Sequence, residues 1–305
     1  MRVSFCLDVN QEDGDSGKHK FFIRLAKEMK KRGVEIVSSK ADVHLMLPRM
    51  PPDGSAKVNV LRLNGLILNS RWPYKKKNKM ILESINTSDV LVYQGNFCEE
   101  AYRRFMKVNK KYRIISNGAD PSEFLNRQPQ NFLLANCKWR PHKRREAIIT
   151  TFLTALDMGL DADLVITGGL DKTIKHPRIK YRGWVGKYQL RKYLSKAIAS
   201  LHFSWLDWFP NSMVEAIVSK CPIIYTRSGG HEDVAKNSGI GIKDVQWNFK
   251  VCDLYSPPDI NYEEGAKAMI ESKKGNNVVE ERKDLHIKTV ATQYMEYFDS
   301  LLKGL

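Results

Sequence analysis

The sequence predicts an α/β fold made of two doubly wound, Rossmann-like domains. Short apolar segments alternate with amphipathic helical segments along the chain, and this alternation restarts after a polar stretch near the middle. A length of 305 residues also fits two domains better than one. Strands separated by helices pair in parallel through right-handed crossovers, so we expect two sheets that face each other across a cleft.

The first half contains six predicted strands and one well-marked helix. The strands are expected at residues 2–9, 34–37, 43–47, 58–63, 90–93 and 113–116. A helix is predicted at 19–32, where Phe22, Leu25 and Met29 share one face and Gly33 ends the pattern. A polar, glycine-bearing loop at 11–18 precedes that helix.

The second half begins after a turn at 117–121 and a polar linker at 126–131. Strands are expected at 132–136, 163–167, 179–182, 201–204 and 222–225, and helices at 148–160, 190–199, 212–219 and 285–302. The predicted domains are therefore residues 1–122 and 123–284. The helix in 285–305 is expected to pack back on the first domain.

Composition excludes several classes of protein. Apolar residues make up 42% and charged residues 28%, which is typical of globular domains and not of disordered chains. No apolar run approaches the ~18–20 residues of a membrane span, and the N-terminus reaches Asp8 before any signal-peptide-like core. The five cysteines are scattered without metal spacing, so we expect a reducing, cytoplasmic location without structural zinc or disulfides.

The formal net charge of +16 favours anionic partners such as phosphates, nucleic acids or acidic membrane surfaces. Three basic runs lie at 27–32, 75–79 and 103–113. A peripheral contact with an anionic membrane would use Lys75, Lys76, Lys77, Lys79, Arg103 and Arg104. A basic surface facing only solvent explains these runs equally well.

The first candidate site is the turn that follows the predicted strand at 132–136. It carries a series of cations into a helix: Lys138, Arg140, Lys143, Arg144 and Arg145. Cations held on a strand–helix loop suit a diphosphate. The alternative is a solvated basic helix start.

The second candidate site spans 205–217. A Phe-Pro-Asn-Ser turn separates Asp207 from Glu215 and begins a helix, whose N-terminal amides could bind a phosphate. These amides belong to Asn211, Ser212, Met213 and Val214. Alternatively, Ser212 and Glu215 form a capping box.

Two glycine turns follow strands of the second half. Gly229 and Gly230 would let backbone amides approach a ligand. Gly168 and Gly183, together with Trp184, could border a nucleobase. The alternative for the latter is a plain turn with Trp184 in the core.

Taken together, these motifs resemble those of the GT-B retaining glycosyltransferases of glycosyltransferase family 4. That family has a Gly-Arg-x-x-x-x-Lys turn, then an acidic residue and a Glu separated by seven residues, then Gly-Gly. In this chain Lys138 and Lys143 occupy the Arg and Lys positions, with Cys137 in place of Gly. Asp207 and Glu215 match the acidic motif. Asn117, Gly118 and Asp120 match the family's junction between domains.

The resemblance implies that residues 123–284 bind a nucleotide-diphosphate-sugar donor and residues 1–122 the acceptor. Lys138, Lys143 and Asp207 would be catalytic: the lysines would hold the diphosphate, and Asp207 would hold the sugar. Glu215 would bind the ribose. Arg140 and the helix amides would add donor contacts, as would Gly17 and Asn64 of the first domain.

The resemblance further implies a retaining hexosyl transfer to a hydroxyl of a glycan or lipid-linked acceptor. No acidic motif that would bind a metal lies in a suitable place, so neither a metal nor a cofactor is expected. A non-catalytic nucleic-acid-binding protein, a GT-B enzyme that glycosylates DNA, and a sugar-nucleotide epimerase or hydrolase remain alternatives. Nucleic acid is not the expected partner, because the cations are spread over both halves and no nucleic-acid-binding motif is present.

Overall fold

The computed structural model describes residues 1–11, 16–169 and 174–305, so part of the loop predicted at 11–18 lies outside the described residues. The chain divides into two compact units. Unit 1 comprises residues 1–120, 249–252 and 283–305, and unit 2 comprises 121–248 and 253–282. Each unit is an α/β domain with a parallel sheet.

Unit 1 begins with β1 (Arg2–Phe5), α1 (Gly17–Lys30), β2 (Glu35–Ile36), β3 (Val43–Met46), β4 (Val58–Leu63), α2 (Tyr74–Thr87), β5 (Val90–Tyr93), α3 (Asn96–Met106) and β6 (Tyr112–Ile114). The described strands are parallel, in the order β2-β1-β3-β4-β5-β6. Ser16 caps α1 by accepting a hydrogen bond from the His19 amide at 3.4 Å. Phe22 and Leu25 bury the inner face of α1 against the sheet.

Unit 2 contains β7 (Phe132–Asn136), α4 (Arg145–Asp157), β8 (Asp163–Thr167), β9 (Ile179–Tyr181), α5 (Lys187–Lys196), β10 (Ser200–His202), α6 (Asn211–Val218), β11 (Ile223–Thr226), α7 (His231–Ala235), β12 (Ile240–Ile242) and α8 (Tyr262–Lys273). Its described strands are also parallel, in the order β12-β11-β10-β7-β8-β9. The strand order therefore reverses between β7 and β10. Ligands of open α/β sheets bind at such a point, beyond the carboxyl ends of the strands.

The last helix, α9 (Ile287–Leu302), belongs to unit 1 and packs against α1. Val290, Tyr294 and Phe298 recur every four residues and are fully buried. The ring of Phe21 on α1 lies 6.3 Å from that of Tyr294. This apolar stripe accounts for the position of α9, because burying such side chains contributes about 1.5–3 kcal/mol each.

The strands predicted at 58–63, 90–93, 132–136 and 163–167 are confirmed to the residue. The other predicted elements shift by one to three residues, except that β1 ends at Phe5 rather than at residue 9. Helices α2, α3, α7 and α8 and strand β12 had not been predicted. Among the described residues, none of the helices combines the length and the apolar character needed to cross a membrane.

Candidate functional site

The turn that follows β7 is the first element of the candidate site. Lys138 and Arg140 are exposed on it, and a single 3₁₀ turn at Pro141–Lys143 leads into α4. Arg144 adopts a left-handed conformation with φ of 51°. Its guanidinium donates to both carboxylate oxygens of Asp244, at 2.6 and 3.0 Å, and both side chains are buried. Arg144 therefore anchors the turn and is not available to a phosphate, contrary to the expectation for the cations of this loop.

Lys143 and Asp207 form a half-buried ion pair at the point where the strand order reverses. The Lys143 ammonium donates to Oδ2 of Asp207, and each side chain is 17% exposed. Burial works to lower the pKa of Lys143, but the carboxylate of Asp207 outweighs it and the pKa is raised. Burial likewise works to raise the pKa of Asp207, and the ammonium overrides it and holds this pKa at about 2. Both groups are therefore charged at neutral pH.

Hydrogen bonds between three loops fix the position of Asp207. The amide of Trp205 donates to the carbonyl of His142 at 2.7 Å, which ties the β10 loop to the β7 loop. The amide of Leu206, a residue with a φ of 56°, donates to Oγ of Ser228 at 3.1 Å. The β10 loop is thus held on both sides, and Asp207 is presented to Lys143 by a rigid backbone.

The Gly229–Gly230 turn packs directly against the Asp207 loop. A Cβ atom on Gly229 would lie 2.5 Å from the carbonyl oxygen of Asp207, and one on Gly230 would lie 2.0 Å from that of Trp208. The amide of Gly230 donates to the Asp207 carbonyl at 2.7 Å. These glycines are therefore required for loop packing, and the Gly230 amide is already used within the protein rather than offered to a ligand.

Three histidines that the sequence analysis had not singled out lie close enough to the ion pair to interact with its charges. Burial lowers the pKa of His142 to about 4 and that of His202 to about 3, and it also lowers the pKa of His231. Nδ1 of His231 donates to the carbonyl of Thr226 at 2.7 Å. Its position directly after Gly-Gly was the available sequence signal. All three histidines are neutral at pH 7, so they surround the pair with polar groups without adding charge.

Helix α6 begins beside Asp207 and places Glu215 in its second turn. The N-cap residue is Pro210, and within the described chain no side chain caps this helix. The capping box between Ser212 and Glu215 is therefore wrong. The amides of Met213 and Val214 already donate to the Pro210 carbonyl, at 3.0 and 3.1 Å. Met213 and Val214, two of the four residues whose amides were predicted to bind a phosphate, therefore use those amides within the protein.

Gly168 and Trp184 lie at the carboxyl ends of β8 and β9. The amide of Gly168 donates to the carbonyl of Gly183 at 2.6 Å, and Gly168 has a φ of 109°. A Cβ atom on Gly169 would lie 2.8 Å from Nε1 of Trp184, so the indole packs over that glycine. Trp184 is nevertheless 69% exposed, and the alternative that placed it in the core is wrong.

The residues predicted in unit 1 occupy separate places at the carboxyl edge of its sheet. Gly17 is exposed at the start of α1, and Asn64 follows β4. The junction motif lies under α9, since a Cβ atom on Gly118 would lie 3.0 Å from Cα of Ile287. The amide of Ile287 donates to the carbonyl of Ala119 at 2.9 Å. The junction motif therefore serves to seat the C-terminal helix.

The structure brings together Lys143, Asp207, Gly229 and Gly230 in one set of direct contacts. Glu215 belongs to the same edge of the sheet, because α6 follows β10 and β10 pairs with β7. Over the residues that the structure describes, no cluster of three His, Cys, Asp or Glu side chains could hold a metal ion. Independence from metals stays a prediction.

Comparison with known proteins identifies the fold. No protein-family model matches the chain, and no curated protein matches it in sequence. Among solved structures, sucrose-phosphate synthase from Thermosynechococcus elongatus matches with a TM-score of 0.70 and 10% identity, covering 100% of both chains. HepE of Anabaena, solved with UDP-glucose, matches with a TM-score of 0.64 and 13% identity over 98% of this chain and 100% of that one.

AviGT4, a glycosyltransferase involved in avilamycin A biosynthesis, matches with a TM-score of 0.61 and 15% identity. The match covers 100% of this chain and 98% of AviGT4. At sequence identities this low, the structural similarity establishes a shared architecture only. The chain therefore has the GT-B fold of these solved glycosyltransferases, in which two doubly wound units each carry a parallel sheet.

Proposed function

We propose that the protein is a metal-independent, retaining glycosyltransferase that moves a sugar from a nucleotide diphosphate to a hydroxyl acceptor. The observation that carries this proposal is the Lys143–Asp207 pair. It sits where the strand order of unit 2 reverses, which is where open α/β sheets bind nucleotides. The structure of HepE with UDP-glucose supports a donor of this class.

The diphosphate would be held by cations and helix amides of unit 2. Lys138 and Arg140 are exposed on the β7 loop and available to an incoming anion. The first amides of α6, at 211 and 212, lie at the positive end of the helix dipole. Glu215, one turn further along, would accept hydrogen bonds from ribose hydroxyls, and the exposed ring of Trp184 would offer a flat surface to the base.

Donor binding would exchange the partners of the central ion pair. Lys143 would turn from Asp207 to an oxygen of the diphosphate, and Asp207 would then accept hydrogen bonds from hydroxyls of the donor sugar. The pair keeps Lys143 protonated before the donor arrives, because the pKa of the lysine is raised by the carboxylate. The site is thus preorganised for charge that develops on the leaving group.

In the proposed reaction the bond between the anomeric carbon and the diphosphate oxygen breaks, and a bond to the acceptor oxygen forms on the same face. The acceptor proton passes to the departing diphosphate, so that the products are the glycoside and the nucleoside diphosphate. Lys138 and Lys143 stabilise the negative charge of the leaving group. No nucleophilic side chain is invoked.

A thermal-shift and calorimetric panel tests this function. UDP, GDP, ADP and their glucose conjugates are titrated into the full chain, and a nucleotide that binds the native state raises the melting temperature. Glu215→Gln should weaken binding about tenfold, whereas Lys267→Ala, an exposed lysine on α8, should leave it unchanged. If none of these compounds binds, the proposal is wrong. For a nucleotide sugar that does bind, proton NMR of the reaction product determines the anomeric configuration and so tests retention.

Helix α2 supports a further proposal, about the surface on which the protein reaches its acceptor. Lys75, Lys76 and Lys79 are exposed on it beside Met80 and Leu82, which are 39% and 38% exposed. The other cations are engaged: Lys77 lies over the ring of Trp72 at 4.7 Å, and Arg103 and Arg104 pair with Glu99 and Glu100. We propose that α2 contacts an anionic bilayer. Flotation with phosphatidylcholine vesicles, with and without phosphatidylglycerol, tests this, and absence of any difference contradicts it.

A further inference from the structure

Unit 1 contains a buried cation that has no acidic partner among the described residues. Arg62 lies within β4 and is 1% exposed. One face of its guanidinium lies 4.5 Å from the centre of the Phe21 ring. Removing a full charge from water costs several kcal/mol unless something compensates it. The groups around Arg62 must therefore compensate the cost of burying its charge.

The hydrogen-bond partners of Arg62 are three side-chain amides that follow three adjacent strands. Its two terminal nitrogens donate to Oδ1 of Asn64 and Oδ1 of Asn117, and Nη2 also approaches Oε1 of Gln94 at 3.5 Å. These amides come directly after β4 and β5 and shortly after β6. The cluster thus occupies the carboxyl edge of the sheet, the edge at which such sheets bind ligands.

Two hydrogen-bond donor groups of this cluster have no acceptor among the described residues, the buried Nε of Arg62 and the NH₂ group of Asn64. Gln94 donates to the Asn64 carbonyl at 3.2 Å, and Asn117 approaches Gln94 at 3.5 Å. The Asn64 amide is oriented with Oδ1 toward Arg62, so its NH₂ group points away from the cation and has no acceptor among the described residues. Asn64 is only half-buried, unlike Gln94 and Asn117. The edge of unit 1 therefore presents a donor backed by a positive charge.

We propose that Asn64 binds an oxyanion of the acceptor, a carboxylate or a phosphate monoester, and that Arg62 is the positioning residue that orients it. This inference rests on the proposed function, because only a transferase has an acceptor substrate. It assigns Asn64 to the acceptor instead of the donor. An oxygen bound to the Asn64 NH₂ would lie about 6 Å from the guanidinium, two hydrogen bonds away. At that distance in a partly buried site, the unneutralised charge favours an anion over a hydroxyl.

Binding of small sugars to the full-length protein tests the proposal without any mutation. Glucose 6-phosphate, glucuronic acid and glucose are titrated by calorimetry at low salt, so that the two anionic compounds distinguish phosphate from carboxylate. At least one of them should bind about tenfold more tightly than glucose. Equal binding of all three, or of none, overturns the inference.

Two variants with the same change in charge locate the effect. Asn64→Asp removes the donor and places a carboxylate against Arg62, and it should weaken the anionic sugar at least about tenfold. Asn86→Asp makes the same substitution near the end of α2, at the opposite, amino-terminal edge of the sheet, and should change binding less than about twofold. If Asn64→Asp binds the anionic sugar like the wild type, the site lies elsewhere and the inference is wrong.

Conservative replacement of the arginine separates its charge from its packing. Arg62→Lys should retain a preference for the anionic sugar, and Arg62→Gln should lose it. If both variants keep the preference, Arg62 has no positioning role. Titration of wild-type protein with UDP is run in parallel. Binding of UDP without any preference for anionic sugars refutes this inference alone, whereas the reverse pattern refutes only the proposed donor site.

Discussion

Replacement of Lys143 by methionine offers a quantitative test of the central ion pair. Lys143→Met keeps most of the side-chain volume and leaves Asp207 without its cation. Removing one partner of a buried pair costs about 3–5 kcal/mol, and since each side chain retains 17% exposure we expect the lower end, about 3 kcal/mol. For a domain of this size the loss corresponds to a fall of about 6–12 °C in melting temperature.

Urea unfolding at pH 7 measures this loss, and calorimetry measures UDP binding by the same proteins. The double variant Lys143→Met/Asp207→Leu should recover most of the stability, because no charge is then left buried. It should nevertheless bind UDP about 10–100-fold more weakly than the wild type, because the charge facing the diphosphate is gone. A single variant that loses less than about 0.5 kcal/mol would show that the two side chains are not coupled. A double variant with wild-type UDP affinity would remove Lys143 from the donor site.

Three further outcomes follow from the site. Because the pKa values of His142 and His202 are lowered to about 4 and 3, stability should be complete above pH ~6.5 and fall as the pH drops toward 4. The loss should reach ~3 kcal/mol per histidine in urea unfolding, and a flat profile would contradict it. Gly230→Ala, whose new methyl would meet a backbone carbonyl, should lower the free energy of unfolding by ~2 kcal/mol or more. Gly186→Ala, which has nothing within 4 Å, should not. Trp184→Ala should keep the melting temperature but weaken UDP binding about tenfold, so that unchanged affinity would move the base elsewhere.

Much of the sheet could be predicted because its strands are buried on both faces. β5, β7 and β8 contain unbroken apolar segments next to polar residues, and β4 is mainly apolar although it includes Asn59 and Arg62, so the limits of these strands follow from that contrast. Helix α2 was not predicted, because its start is rich in lysine and its buried apolar face is limited to Ile81 and Ile85. The charged residues therefore obscure its helical periodicity. Short elements such as α7 and β12 carry too few residues to show any period.

The residue types of the candidate site could be recognised along the chain, but their contacts could not. Lys143 and Asp207 are 64 positions apart, and only the adjacency of β7 and β10 brings them together. Gly230 was expected to expose a backbone amide, yet the loop at 206–208 occupies the space in front of it. Arg144 was expected to face phosphate, although Asp244, 100 positions later, holds it.

Local pattern therefore determined the class of the fold, the sites of most strands and the basic and acidic residues available for a phosphate site. Periodicity and residue type are properties of neighbouring positions, so they can be read from the chain alone. Which charges neutralise each other, which histidines stay neutral and which arginine has no counter-ion among the described residues depend on distance and burial in three dimensions. Those quantities arise only when strands far apart in sequence lie side by side, and they decide how Lys143, Asp207 and Arg62 behave.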